Sequence, residues 1–273
     1  SSYTSIFLNI FIYFLYLRLF LIKIITKLRF KTQNSIIKMD CIVFDIGGYF
    51  TKYGIDKLKI KRTNVCYYQK NSFEIGPEAK NCLNIKPISN GKVKDWDELQ
   101  KLIEKIVFYD LEISNTSDYS VINVFPTDEP KFRDLFLNKL NFARYAYLSP
   151  ITATLLEKRK KTALIIDIGH DLTKITPIYD GYEILSGVFY STFTGRQIDK
   201  TLKIKSFKKK NLDWDLNIFN KLKNDDIDLI KDIKKSISKV DINIRKDLLN
   251  NIVISGFVFN KNIKLNIENS LNL

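Results

Sequence analysis

One histidine, His170, one methionine, Met39, and three cysteines are all that 273 residues contain of these types. Cys41, Cys66 and Cys82 are odd in number and make no Cys-x-x-Cys pair. Neither a disulfide framework nor a cysteine zinc site is supported, and the chain reads as suited to a reducing compartment. With no second histidine and no cysteine nearby, His170 reads as a loop residue rather than a metal ligand. Acidic charge is scarce too: 30 Asp and Glu against 44 Lys and Arg leave a formal net charge of +14. That balance suits a polyanion, nucleic acid or an acidic membrane, because lysines that neutralise phosphates underlie non-specific binding. Lysine, asparagine and isoleucine are abundant throughout, however, and only Lys158–Lys161 and Lys205–Lys210 cluster locally. The excess is closer to a compositional drift than to a built patch, so nucleic acid is only weakly suggested as a partner. Disorder is not expected, since 45% apolar and 27% charged residues are a globular balance, and the length allows one large or two modest domains.

A long apolar run occurs once. Ile6 to Ile25 is interrupted only by Asn9, Arg18 and Lys23. As a membrane segment it would have to hold or snorkel two cations, and a central arginine costs about 2.5–3.5 kcal/mol on insertion scales. The sequence also opens at Ser1, with Met39 just before the next apolar strand. Residues 1–38 are therefore read as an upstream extension of the reading frame, with a membrane anchor as the alternative.

What is present is a repeat. Ile42 to Lys52 (IVFDIGGYFTK) returns in altered form as Leu164 to Lys174 (LIIDIGHDLTK), each copy spelling Asp-Ile-Gly-x-x-x-Thr-Lys. Either copy alone resembles any strand entering a turn; the shared isoleucine, threonine and lysine tie the two together. In each, an apolar strand delivers a carboxylate to its end, and a glycine lets the backbone turn and expose amides. Such a turn suits a phosphate, with the lysine as a point charge and the carboxylate placed to hold a divalent cation, usually through water. The aspartates lie 167 − 45 = 122 residues apart. That is about one domain length, which predicts a duplicated domain with nucleotide between the copies.

Around the repeat, strands alternate with helices, an α/β layer pattern. Asp95 predicts a helix cap with Glu98 at the reciprocal position, and Trp96, Leu99, Leu102, Ile103, Ile106 and Val107 follow at helical spacing. Pro77 is set to start a short helix. Further strands are expected at Cys66–Tyr68, Phe73–Ile75, Tyr119–Phe125, Phe142–Leu148, Thr162–Asp167, Thr173–Tyr179, Tyr182–Phe189 and Ile252–Gly256, and further helices at Lys131–Leu140 and Ile151–Lys158. Gly195 and Arg196 open another helix, whose first amides would face a ligand. Residues 205–240 look helical, with Trp214, Leu216, Ile218, Phe219 and Leu222 as the packed side.

With both motifs in place the chain resembles the actin family, a branch of the fold shared by actins, heat-shock chaperones and sugar kinases. Phe73–Ala79 (FEIGPEA), Pro87–Asp97 (PISNGKVKDWD), Pro177–Tyr182 (PIYDGY), Thr194–Arg196 (TGR) and Asp241–Leu248 (DINIRKDL) look like that family's segments and fall in its order. The resemblance implies a duplicated α/β, ribonuclease H-like ATPase fold with a nucleotide cleft between two halves, residues 39–150 and 151–273. It also implies reduced outer subdomains and a truncated C-terminus. It makes Asp45 and Asp167 the carboxylates around the magnesium of bound ATP or ADP. Gly47, Gly48 and Lys52 become the first phosphate loop and Gly169 the second, with Gly195 and Gly256 lining the nucleotide.

Three departures bear on chemistry. Pro150 stands where the family places a glutamine that orients the attacking water, Lys174 where it has a supporting histidine, and Phe257 where it has a glycine beside the adenine. The resemblance thus implies an ATP-binding structural or assembly subunit with weak or no hydrolysis, cytoskeletal or part of a nuclear chromatin-modifying complex, with the lean to the nucleus. Its partners would be the other proteins of a multi-subunit complex, or actin, with a membrane only if residues 6–25 are a real segment. The alternatives are a working ATPase or sugar kinase, for which His170 and Asp171 qualify as a base by position, and a membrane-anchored actin-like protein.

Overall fold

The computed structural model describes residues 40–55, 57, 59–63, 65–69, 72–75, 83–201, 228–256, 267–269 and 271. The apolar run 6–25, the helix expected at Pro77, the lysines at 205–210, the stripe from Trp214 to Leu222 and Phe257 lie outside the described residues. The chain divides into two compact units between Glu157 and Lys158.

The first unit is organised on β1 (Asp40–Ile46), an apolar strand buried on both faces. Ile42, Phe44 and Ile46 face one core, while Cys41 and Val43 meet Ile122 and Val124 on the other. A strand flanked on both faces needs such a continuous apolar run. Burial pushes the Cys41 thiol up to about 12, so it packs as a small hydrophobe with no thiolate chemistry. β2 (Phe50–Gly54) returns antiparallel to β1, and β3 (Lys59–Arg62) pairs with β2. β4 (Val65–Gln69), β5 (Ser72–Ile75) and β6 (Leu83–Ile85) form a separate antiparallel sheet. β7 (Ile88–Ser89) and β8 (Lys92–Val93) make a hairpin whose turn residues, Asn90 and Gly91, have φ of 51° and 69°. An Asn-Gly pair takes that left-handed geometry at least cost.

Asp95 caps α1 (Trp96–Lys105), its Oδ1 accepting the Glu98 amide at 3.0 Å. The Glu98 carboxylate takes Lys101 at 2.9 Å, and the Asp95 amide goes to the Pro87 carbonyl at 3.3 Å. The expected apolar stripe is buried from Leu99 on, with Trp96 partly buried against the same core, and its last members Ile106 and Val107 lie in a π-helical stretch over Ile106–Asp110. β9 (Tyr119–Val124) runs parallel to β1. α2 (Pro130–Arg133) then continues as π-turns through Asp134–Lys139, and β10 (Arg144–Leu148) runs parallel to β9. This strand starts later than Phe142 because that ring is core: Phe136 lies 5.8 Å from it, and also packs on Phe44, Phe132 and Tyr145. The sheet order is β10-β9-β1-β2-β3, and α3 (Pro150–Lys158) follows.

Asp110 ties β3 to the end of the π-helical stretch. Tyr53 donates to its Oδ2 at 2.5 Å, Lys61 reaches both oxygens at 2.5 and 2.7 Å, and Lys59 bonds its carbonyl. Burial alone would push this carboxyl up, but the bonds from Lys61 and Tyr53 and the charges of Lys61 and Lys59 hold it below its ordinary value. A depressed folded pKa contributes stability that is complete above the unfolded value, about 3.9, and is lost as pH falls through the folded value. Asp110→Asn is therefore expected to weaken the protein at pH 6 and to flatten its acid limb below about pH 4. Urea midpoints at pH 6 and pH 3 measure this, and an unchanged gap between the two midpoints would remove Asp110 from the acid response.

The second unit repeats the plan. β11 (Ala163–Ile168) is buried, and β12 (Thr173–Tyr179) returns antiparallel to it. The single strand expected over Tyr182–Phe189 is broken in two. β13 (Tyr182–Glu183) and β14 (Phe189–Ser191) each pair with β12, with a 3-10 turn at Leu185–Gly187 between them. Gly187 sits at the break, where a Cβ would lie 2.6 Å from the Pro177 ring and 2.8 Å from Val240. α4 (Gly195–Thr201), α5 (Leu229–Ser238) and α6 (Ile242–Leu249) lead to β15 (Ile252–Gly256), which runs parallel to β11. Leu164, Ile166, Ile168 and Ile175 pack with Ile233, Ile237 and Leu248 as a core of their own.

Candidate functional site

In the first unit Asp45 is the penultimate residue of β1 and stands in register opposite Lys52, with Ile46 opposite Thr51. The Gly47 amide donates to the Phe50 carbonyl at 3.0 Å and closes the turn. That bond brings the backbone so near that a Cβ at Gly47 would lie 2.8 Å from the Phe50 oxygen. Lys52 Nζ is 2.6 Å from Asp45 Oδ2 in a half-buried pair. The turn is backed by Thr63, whose amide donates to the Tyr49 carbonyl at 2.9 Å and whose hydroxyl meets that of Thr51 at 2.8 Å.

The second unit has the same turn, with Asp167 opposite Lys174 and Ile168 opposite Thr173. The Gly169 amide donates to Leu172 at 2.9 Å, and a Cβ at Gly169 would sit 2.5 Å from that oxygen. Among the described residues the glycines with positive φ are Gly91, Gly181 and Gly256. Close approach, not a left-handed backbone, is thus what requires glycine at 47 and 169. Both glycine amides are engaged in closing their turns, so a phosphate would meet amides further along, such as that of Gly48.

The side chains then diverge. Lys174 turns to Glu183 at 3.2 Å, and Asp167 Oδ1 accepts from Ser255 at 2.7 Å. Gly256, with φ of 101°, lies against the same group: a Cβ there would be 2.3 Å from the Ile168 oxygen and 2.9 Å from Asp167 Oδ1. The start of α4 is also used differently from the sequence expectation. The Gly195 amide donates to the Gly169 carbonyl at 3.0 Å and the Arg196 amide to the His170 carbonyl at 2.8 Å, so the first amides of this helix hold the turn. His170 Nδ1 lies 2.6 Å from Asp171 Oδ1, which also accepts from Arg196 Nη2 at 2.6 Å. Burial pushes the Asp171 carboxyl up, but His170 and Arg196 outweigh it and hold the group below its ordinary value.

Pro150 is the first residue of α3, and the Ser149 hydroxyl beside it accepts the Thr152 amide at 3.0 Å. Sequence reasoning missed Ser149, Thr63, Glu183 and Ser255. Ser149 caps the helix that Pro150 opens, a local Ser-x-x-Thr spacing that the sequence did offer. Thr63, Glu183 and Ser255 reach the motif residues only through a sheet register, and local spacing carries no signal of that.

Among the described residues, no group of three or more His, Cys, Asp or Glu side chains could cage a metal. At the strand end that opens each turn stands one carboxylate instead, Asp45 or Asp167. That donor set fits magnesium, which keeps much of its water and takes one or two carboxylates together with the phosphates of its nucleotide. Asp45 in the first unit and Asp167 in the second are each a carboxylate of that kind, and a cation held by either would supply charge neutralisation at the phosphates.

Comparison with known proteins follows the same stretch. The actin family model matches residues 37–228. Centractin of Schizosaccharomyces pombe is 23% identical over 198 residues, covering 63% of this chain and 52% of centractin. Actin-related protein 3 of Saccharomyces cerevisiae is 26% identical over 169 residues, 57% of this chain and 37% of the relative. Actin-related protein 2 of Arabidopsis thaliana is 30% identical over 101 residues, 35% of this chain and 26% of the relative. The chain thus spans about half the length of these relatives or less. A family model that covers most of the chain, on a fold that repeats one hairpin and one register in two units, has one reading: the chain belongs to the actin family.

Proposed function

We propose that this actin-related chain binds ATP with magnesium through its two turns and serves as a structural subunit that assembles with other proteins, with little or no hydrolysis. The observation that carries this reading is the pair of matched turns, each with a carboxylate in register with a lysine and a glycine packed against its own turn. A carboxylate, a lysine and a tight glycine turn recur in each unit, and that recurrence is what supports phosphate binding. The likeness to actin-related protein 3 and to centractin supports an assembly role, in the nucleus or the cytoskeleton, with the nuclear assignment resting on the sequence departures alone. The described residues contain no helix long and apolar enough to cross a membrane, and residues 6–25 lie outside them.

Thermal shift tests the binding step. At a hundredfold excess over the dissociation constant, Mg-ATP should stabilise the wild type by about 2.7 kcal/mol. Asp167→Ala should abolish the magnesium-dependent part, because one of the two carboxylates is gone. No shift in the wild type at millimolar Mg-ATP would reduce the fold to a scaffold without nucleotide.

A further inference from the structure

Asp171 is the most constrained charged group of the described second unit that the nucleotide reading does not use. Its side chain is 4% exposed, and it sits in the middle of the turn that Gly169 closes onto Leu172. Burying a carboxylate is costly unless partners hold it, and this one holds two. Oδ1 takes His170 Nδ1 at 2.6 Å, and from α4 it takes Arg196 Nη2 at 2.6 Å and Nε at 3.1 Å. Oδ2 is buried and has no hydrogen-bond partner among the described residues, so there the carboxylate is committed through one oxygen to the junction of turn and helix. The backbone makes the same junction, through the Gly195 and Arg196 amides on the carbonyls of Gly169 and His170. The hydroxyl of Thr173, one residue past the turn, donates to the Phe193 carbonyl at 2.5 Å.

Among the described residues the first turn shows no ion pair of this kind. Gly48 and Tyr49 stand where the second has His170 and Asp171, and its backing comes from the Thr63 amide and hydroxyl. The ion-pair latch is therefore a property of the second turn, created by the two residues in which the repeats differ most.

We propose that the Asp171–Arg196 pair is a positioning element of the second phosphate turn. Without touching the nucleotide, it fixes the turn to α4 in the conformation that receives a phosphate. The inference rests on the nucleotide reading and deepens it, since a turn held in advance loses less freedom when a phosphate arrives.

The test uses the full 273-residue chain with Arg196→Ala, Arg196→Lys and Asp171→Asn. Three readouts are taken: titration with a fluorescent ATP analogue and magnesium, the melting temperature without nucleotide, and amide hydrogen exchange over residues 169–172. Arg196→Ala and Asp171→Asn are expected to weaken ATP about tenfold, the scale of one charge-assisted hydrogen bond, and to speed exchange in the turn. Arg196→Lys should recover part of the affinity, because it restores a cation but not the fork. Melting should fall in Arg196→Ala, which leaves the buried carboxylate short of a partner, and less in Arg196→Lys, so affinities are compared at temperatures where each variant is folded. Wild-type binding matched by Arg196→Ala overturns this inference alone. So does an affinity loss that merely tracks the loss of folded protein across the three variants. A wild type that binds no ATP removes the nucleotide reading and this inference with it.

Discussion

Gly256→Ala is expected to destabilise the protein by about 3 kcal/mol or more, because two penalties coincide at one atom. Its φ of 101° is a conformation that side chains with a Cβ rarely adopt, and the new methyl would lie 2.3 Å from the Ile168 carbonyl oxygen. That contact is with backbone of the neighbouring central strand, so no rotamer change relieves it. Gly181 provides the control. It also has positive φ, 88°, but nothing lies within 4 Å of its Cβ position, so Gly181→Ala should cost only the strain, about 1 kcal/mol. Urea unfolding of both variants separates strain from collision. Equal losses would mean that β15 slides to make room, and the 2.7 Å bond from Ser255 to Asp167 would then be the contact at risk. A weaker Mg-ATP shift in Gly256→Ala, at temperatures where it is still folded, would trace the collision to the carboxylate.

The second large effect expected is an absence of chemistry: the chain should bind ATP and turn it over no faster than buffer. Phosphoryl transfer to water needs stabilised charge and a positioned nucleophile. On the proposed nucleotide reading, the turns at Asp45 and Asp167 would supply the first. For the second, Pro150 has no side-chain group to hold a water, and Lys174 is engaged as a donor to Glu183. The strongest remaining base is His170, whose Nδ1 is held by Asp171 at 2.6 Å, a pairing that resembles the way an orienting carboxylate serves a general base. Its ring is almost wholly buried, with a side-chain exposure of 8%, which argues for a structural role. Single-turnover assays with labelled ATP decide between these. Hydrolysis that vanishes in His170→Ala while ATP binding persists would make the His170–Asp171 pair a catalytic base and end the pseudo-ATPase reading.

The hairpin repeat was legible in the sequence because everything that makes it is local. Each lysine lies seven positions after its aspartate, and strand alternation with one tight turn brings them into register opposite each other. The cap at Asp95 and the buried stripe from Leu99 to Val107 were legible for the same reason, since a helix fixes its neighbours three and four residues apart. The partners of the motif side chains were not. Two identical Asp/Lys registers end in different pairings, Lys52 with Asp45 and Lys174 with Glu183, because β13 folds a second carboxylate onto β12. Ser255 reaches Asp167 across 88 residues through the parallel register of β15 on β11, a pairing that sequence period cannot specify. The use of the α4 amides was likewise decided by a chain crossing: a helix start tends to meet an anion, but here the carbonyls of the second turn reach it first. Sequence alone therefore determined that the chain carries two copies of one strand–turn–strand hairpin on an α/β frame. Tertiary structure decided which groups hold each turn in place, because those contacts depend on which strands and helices come to lie side by side.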